Sequence, residues 1–165
     1  MFNKEYSFRG KHAQYVIDLV RNTGLFERNI DVYILAPIIG LYYGETGTPD
    51  SGEKTTKIFT SVLLKEQKKL KFIFRLVVLL HNEEKLSSQD RINKAFKLTN
   101  ESESKNIYES YVLGGVEYLH RRLLGDGLED EEFINNIYEF VDDFNNDLIN
   151  RGSSESLMEI LSKYA

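Results

Sequence analysis

A helix with almost no polar face sets the terms for this chain. From Asn29 to about Tyr43 the sequence runs through Ile30, Val32, Tyr33, Ile34, Leu35, Ile38, Ile39, Leu41, Tyr42 and Tyr43 with few polar side chains between them. A helix that is apolar round most of its circumference has to be surrounded, not laid on a surface. This segment is therefore expected to be the central buried helix. Pro37 lies inside it. Proline removes a backbone donor and crowds the preceding turn, so a kink near Tyr33 to Ala36, or a helix that restarts there, is expected.

The residues before it prepare the entry. Tyr6 to Arg9 reads as a short extended segment, and Lys11 to Asn22 as an amphipathic helix with Ala13, Val16, Ile17 and Val20 on its inner side. Thr23-Gly24-Leu25 makes a tight corner in which Gly24 suits a left-handed turn, and Asn29 is the expected N-cap of the apolar helix. Strand, helix and helix in this order make a ribbon-helix-helix-like unit over residues 6–44. A lone strand has no hydrogen-bonding partner, so the rest of the chain or a second copy must supply one.

Gly44 to Thr56 is dense in turn formers and reads as a surface loop. A phosphate-cradling loop needs Gly, four residues, then Gly-Lys-Ser/Thr after a strand. Gly47 and Gly52 have that separation, but Glu53 intrudes before Lys54 and a helix precedes the loop. An ordinary loop is the expectation.

From Thr56 to His81 runs a long helical pattern. Ile58, Val62, Leu70, Ile73, Val77 and Leu80 share one side, and Lys65, Lys68, Lys69 and Arg75 share the other. The run Phe72 to Leu80 would also suit a buried strand, but no turn signal separates it from the residues before it, which favours helix. The polar side forms a basic rib. Lys65, Lys68, Lys69, Lys71 and Arg75, joined by Lys54 and Lys57, are the candidate DNA-binding residues, able to neutralise phosphates without reading sequence. Arg9 and Lys11 would add to them if the extended segment faces DNA. The competing reading of the same lysines is a solvated face.

Ser87 or Ser88 with Asp90 opens a short amphipathic segment to Leu98 carrying Ile92, Ala95 and Phe96; Thr99 to Lys105 is polar and expected to be mobile. Ile107 to Leu124 is a helix with Tyr108, Val112, Val116, Leu119 and Leu123 inward. Gly114-Gly115 in its middle costs about 1 kcal/mol per residue relative to Ala, which predicts another backbone passing close by. Gly125-Asp126-Gly127 ends it. A helix from Glu129 to Asn150 follows, opened by acidic residues that complement its dipole and striped by Phe133, Ile137, Phe140, Val141, Phe144 and Leu148. Ser153 to Tyr164 reads as a last short helix.

At 165 residues one domain is expected, with the ribbon-helix-helix-like unit, a helical body over 45–125 and acidic C-terminal helices over 126–165. Cysteine is absent, which excludes a disulfide framework, a thiolate metal site and a Cys nucleophile. No apolar run reaches the length of a membrane span and the N-terminal residues lack the apolar core of a signal peptide, so a soluble, cytoplasmic protein is expected. The net charge of −5 is polarised: residues 1–75 carry 12 Lys/Arg against 8 Asp/Glu, a balance of +4, and residues 76–165 carry 9 against 18, a balance of −9. Such a chain can offer a basic face to DNA and an acidic face to a partner, or pair its halves internally.

Chemistry is thin. His12, His81 and His120 have no second ligand at helical spacing, and Asp142 to Asp147 lack the Gly and Glu of a calcium loop. No serine stands in a nucleophile elbow, and Asp18, Asp31 and Glu66 are lone carboxylates. No metal, no cofactor and no catalytic residue are expected.

With Thr23-Gly24-Leu25 between the first helices, Gly47-Thr48-Pro49-Asp50 and Gly52 in the loop, Lys65-Glu66 on the next helix and Gly115-Val116 before Leu119, the chain resembles the small E subunit of the DNA sulfur-modification (phosphorothioation) machinery over Tyr6 to Leu124. It departs from that pattern in Pro37, in the polar segment Leu98 to Lys105 and in the acidic extension from Glu129. The resemblance implies a non-catalytic, DNA-associated subunit of a bacterial modification or phage-defence complex that forms homo-oligomers and touches the DNA backbone with Lys and Arg. The expectation is thus an all-α single domain with one short N-terminal strand, acting as an accessory subunit on DNA and other protein subunits. Its rivals are a helical scaffold without nucleic-acid binding, and an enzyme whose site only the fold would assemble.

Overall fold

The computed structural model describes residues 2–81, 87–97, 101–125 and 130–152. It is mostly helical, with one small sheet at the N-terminal end. Strand β1 (Tyr6–Arg9) pairs antiparallel with β2 (Thr55–Ile58), Tyr6 opposite Ile58 and Arg9 opposite Thr55. The partner that β1 requires is therefore in the same chain. It sits where the sequence reads as the end of a loop and the start of a helix. Thr55, Thr56 and Ile58 are β-branched, and the segment alternates with Thr56 and Ile58 inward, a pattern that fits a pleated surface better than a helix.

Helix α1 (Gly10–Ile17) passes into a π-helical turn (Asp18–Asn22) where one continuous α-helix is expected. The widened turn holds Asp18, whose carboxylate accepts from the amides of Gln14 (2.6 Å) and Asn22 (2.7 Å). Helix α2 (Asn29–Tyr43) is the apolar one and runs unbroken through Pro37, without the expected restart. Ile30, Val32, Tyr33, Ala36 and Ile39 are buried. Its N-cap is Arg28, not Asn29: the Asp31 carboxylate accepts the Arg28 N–H at 3.0 Å. Asn29 instead donates to Thr56 Oγ1 (2.8 Å) and the Lys57 carbonyl (3.0 Å), tying α2 to β2.

The long helix expected over Thr56 to His81 is three elements. After β2 come α3 (Thr60–Lys65) and α4 (Gln67–Leu80), separated by a break at Glu66 (φ −91°, ψ 7°). Ile58 thus belongs to a strand, and Leu80 is exposed. Helix α4 buries Leu70, Ile73, Phe74, Val77 and Val78 and packs on α2. Ser87 caps α5 (Ser88–Ile92) through the Asp90 N–H, and a π-helical turn (Asn93–Lys97) then packs on α4 with Ala95 buried.

Helix α6 (Glu101–Leu124) starts earlier than expected, so Glu101 to Lys105 is helix, braced by a Glu101–Lys105 ion pair of 2.8 Å. Its inward stripe is the expected one: Tyr108, Val112, Val116, Leu119 and Leu123 are all buried. Gly114 and Gly115 meet passing backbones, for a Cβ at Gly115 would fall on the Ala36 carbonyl and one at Gly114 on that of Glu45. The loop after α2 therefore lies along α6, with the Gly47 N–H donating to the Ser110 carbonyl at 2.8 Å.

The chain divides into two compact units, Met1–His120 and Arg121–Ala165. In the second, α7 (Asp130–Gly152) is anchored by Arg122, which reaches Asp143 at 2.6 Å, and by Asn136, which donates to the Leu123 carbonyl. Phe133, Ile137, Phe140 and Phe144 are half-buried, whereas Val141 and Leu148, expected in the same stripe, are exposed. They lie on an adjacent seam with Ile134 and Tyr138. The helix expected at Ser153 to Tyr164 lies outside the described residues.

Candidate nucleic-acid interface

The outward side of α4 is where the expected basic rib survives. At about 100° per residue, Lys68, Lys71 and Arg75 fall within a sector of about 60°, and Phe72, Leu76 and Leu79 fill the next sector of similar width. Together they lie opposite the buried Leu70, Phe74 and Val77. Across from them stands Phe96, carried by the π-helical turn that packs on α4. Together these side chains line a groove of about 360 Å³. Phe72 is 66% exposed and Phe96 52%. The Arg75 guanidinium lies 5.4 Å from the centre of the Phe96 ring, within cation–π range.

The rest of the rib is dispersed. Lys54, in the turn before β2, bonds to the Gln14 side chain, and Lys57, on β2, pairs with Glu5 at 2.8 Å. Lys69 turns away from the groove to Glu66, 3.3 Å distant, which also faces Arg28 at 3.9 Å. Lys65 is exposed but ends α3, on the other side of the break. Lys11 pairs with Glu117 at 3.1 Å. The seven cations expected on one strip are thus distributed over separate surfaces, and only Lys68, Lys71 and Arg75 remain in register. None of these three has a carboxylate partner among the described residues.

Phe72 and Phe96 are the residues that sequence reading missed. A signal existed: positions 68, 71, 72, 75, 76 and 79 recur at helical spacing opposite the core stripe. It was hidden because Phe72 opens a run that looks uniformly apolar.

The histidines and the lone carboxylates Asp18, Asp31 and Glu66 have structural partners. Buried His12 contacts Glu117 through Nε2 at 2.8 Å, His120 contacts Asp18 at 3.1 Å and stacks on Tyr15, and His81 contacts the Tyr111 hydroxyl at 3.0 Å. Asp31 pairs with Arg28. No group of three or more His, Asp or Glu suited to a metal ion occurs among the described residues, and no described helix is long and apolar enough to cross a membrane. Comparison with known proteins adds no relative: no family model, no curated protein and no solved structure matches the chain.

Proposed function

We propose that this protein is a non-catalytic accessory subunit that holds nucleic acid by its phosphate backbone through the outer side of α4, as part of a cytoplasmic DNA-modification or phage-defence complex. The assembly and its setting come from the resemblance to the sulfur-modification E subunit; the contact surface comes from the groove. One observation carries the reading: Lys68, Lys71 and Arg75 share an exposed face free of carboxylates among the described residues, while Lys54, Lys57 and Lys69 have partners within the chain. Unpaired cations retain their full attraction for phosphate, whereas a lysine already in an ion pair must give up that partner first. The ribbon-helix-helix likeness enters as an order of elements only, since one edge of β1 is taken by β2.

The test is fluorescence anisotropy of labelled DNA over a range of salt. With three phosphates neutralised, log Kobs against log salt should fall with a slope of roughly −2 to −3. The triple variant Lys68→Glu, Lys71→Glu, Arg75→Glu should abolish binding, and Lys54→Ala with Lys57→Ala should leave it within about twofold. Absence of salt-dependent binding to any DNA form sinks the proposal.

A second reading, a helical subunit that binds protein alone, is favoured by α7, where Ile134, Tyr138 (73% exposed), Val141 and Leu148 leave an apolar seam in solvent. On that reading the α4 charge reversals change nothing, and Ile134→Ser with Val141→Ser alters the sedimentation of the protein.

A further inference from the structure

We infer that the α4 groove takes unpaired nucleotides, with Phe72 and Phe96 as stacking platforms for bases, a substrate class that rests on the nucleic-acid reading above. Backbone contact alone leaves the two rings unexplained. A duplex presents phosphate and sugar on its outside, and neither gains from an exposed phenyl face. An unpaired base has a π-face for every ring it meets, and stacking of this kind is tolerant of sequence.

The arrangement has a sidedness that matches a single strand. On α4 the cations Lys68, Lys71 and Arg75 follow one edge of the face and Phe72, Leu76 and Leu79 the other, beyond which Lys69 is held by Glu66. A single strand has the same layout, with charge along one edge and bases projecting from it. An acidic amphipathic helix differs, because its apolar stripe is flanked by polar residues on both sides and calls for cations on both sides of the groove. Arg75 joins the two edges: its guanidinium lies over Phe96, and a planar guanidinium can bond phosphate while a base stacks on its face. From Lys68 to Leu79 the helix advances about 16 Å, which accommodates roughly four or five stacked nucleotides.

The test compares labelled oligo(dT), a blunt hairpin duplex and an acidic amphipathic peptide as ligands of the full chain. Oligo(dT) should bind more tightly than the hairpin. Phe72→Ala and Phe96→Ala, both at exposed positions, should each weaken oligo(dT) binding by roughly 5- to 100-fold and hairpin binding by a smaller factor, the Phe96 variant through its contact with Arg75. Phe72→Trp should restore binding, and because the chain has no other tryptophan, its fluorescence should be quenched as oligo(dT) is added. Equal affinity for both DNAs, with no effect of the ring variants, overturns this inference and leaves the backbone reading standing. Absence of binding to either DNA overturns both. Ring-dependent binding of the peptide with no oligo(dT) binding overturns both and assigns the groove to a protein partner.

Discussion

Asp50 shows how far a single side chain can depart from its sequence context. In the chain it is one more polar residue in a turn-rich loop. In the fold its carboxylate accepts the N–H of Lys11 at 2.6 Å and that of Gly52 at 3.1 Å, and so caps α1 from 39 residues away. These N–H donors hold its pKa below the ordinary 3.8, since hydrogen bonds to the ionised form favour it. A depressed folded-state pKa means stability that is present above the unfolded value and lost as pH falls through the folded one. Asp50→Ala should therefore lower the melting temperature at neutral pH. The difference from the parent should shrink below pH 3.8 and close at still lower pH, as thermal melts over an acid series would show. The cap also explains the backbone beside it: Gly10 has φ +55° and lies against the Asp50 carboxylate, where any side chain would be displaced.

Among the elements, α6 is the one whose behaviour the sequence anticipated most fully. Its inward stripe follows from periodicity, and its glycine pair from the energetic penalty of leaving glycine in mid-helix. Missing were its first turns, Glu101 to Asn106, and the identity of the neighbours: α2 at Ala36, and the loop after it at Glu45. Gly115→Ala should destabilise the protein by about 2 kcal/mol or more, because the added methyl meets rigid backbone. Gly24→Ala, with φ +64° but open space around it, should cost less, about 1 kcal/mol. Urea melts of the two variants would check that order. Helices α3 and α4 show the opposite case. Lys65 to Arg75 reads as one rib, yet the break at Glu66 divides it and Glu66 itself takes Lys69. Nothing local marks that break, since neither proline nor glycine stands there.

For the first unit as a whole, stability depends on an aromatic cluster between β1, α2, α4 and α6. Tyr6 and Tyr33 have ring centres 4.6 Å apart, and Tyr108 contacts both Tyr33 and Phe74. Burial raises the pKa of the Tyr6, Tyr33 and Tyr108 phenols above the ordinary 10.0, and the nearby Glu109 carboxylate adds to the effect at Tyr6. For a group whose folded pKa is raised, the contribution is complete below the unfolded value and is lost as pH climbs through the folded one. Unfolding should therefore begin only above pH 10 and be accompanied by the rise in tyrosinate absorbance. Tyr108→Phe, which cannot ionise, should move the alkaline midpoint upward.

What the sequence determined by itself was whatever depends on near neighbours: the inward stripe of α6, the burial of α2, the need of β1 for a partner strand, and the close approach at Gly114-Gly115. These follow from side-chain period and backbone conformational cost, both of which act over a few residues. Tertiary structure alone decided that the partner is Thr55 to Ile58, that Asp50 caps α1, and which cations find a partner among the described residues. Lys57 meets Glu5, and Lys54 meets Gln14, contacts between residues far apart in the chain. Charge pairing acts through space, so which lysines are left for a ligand is fixed only when distant segments are brought together.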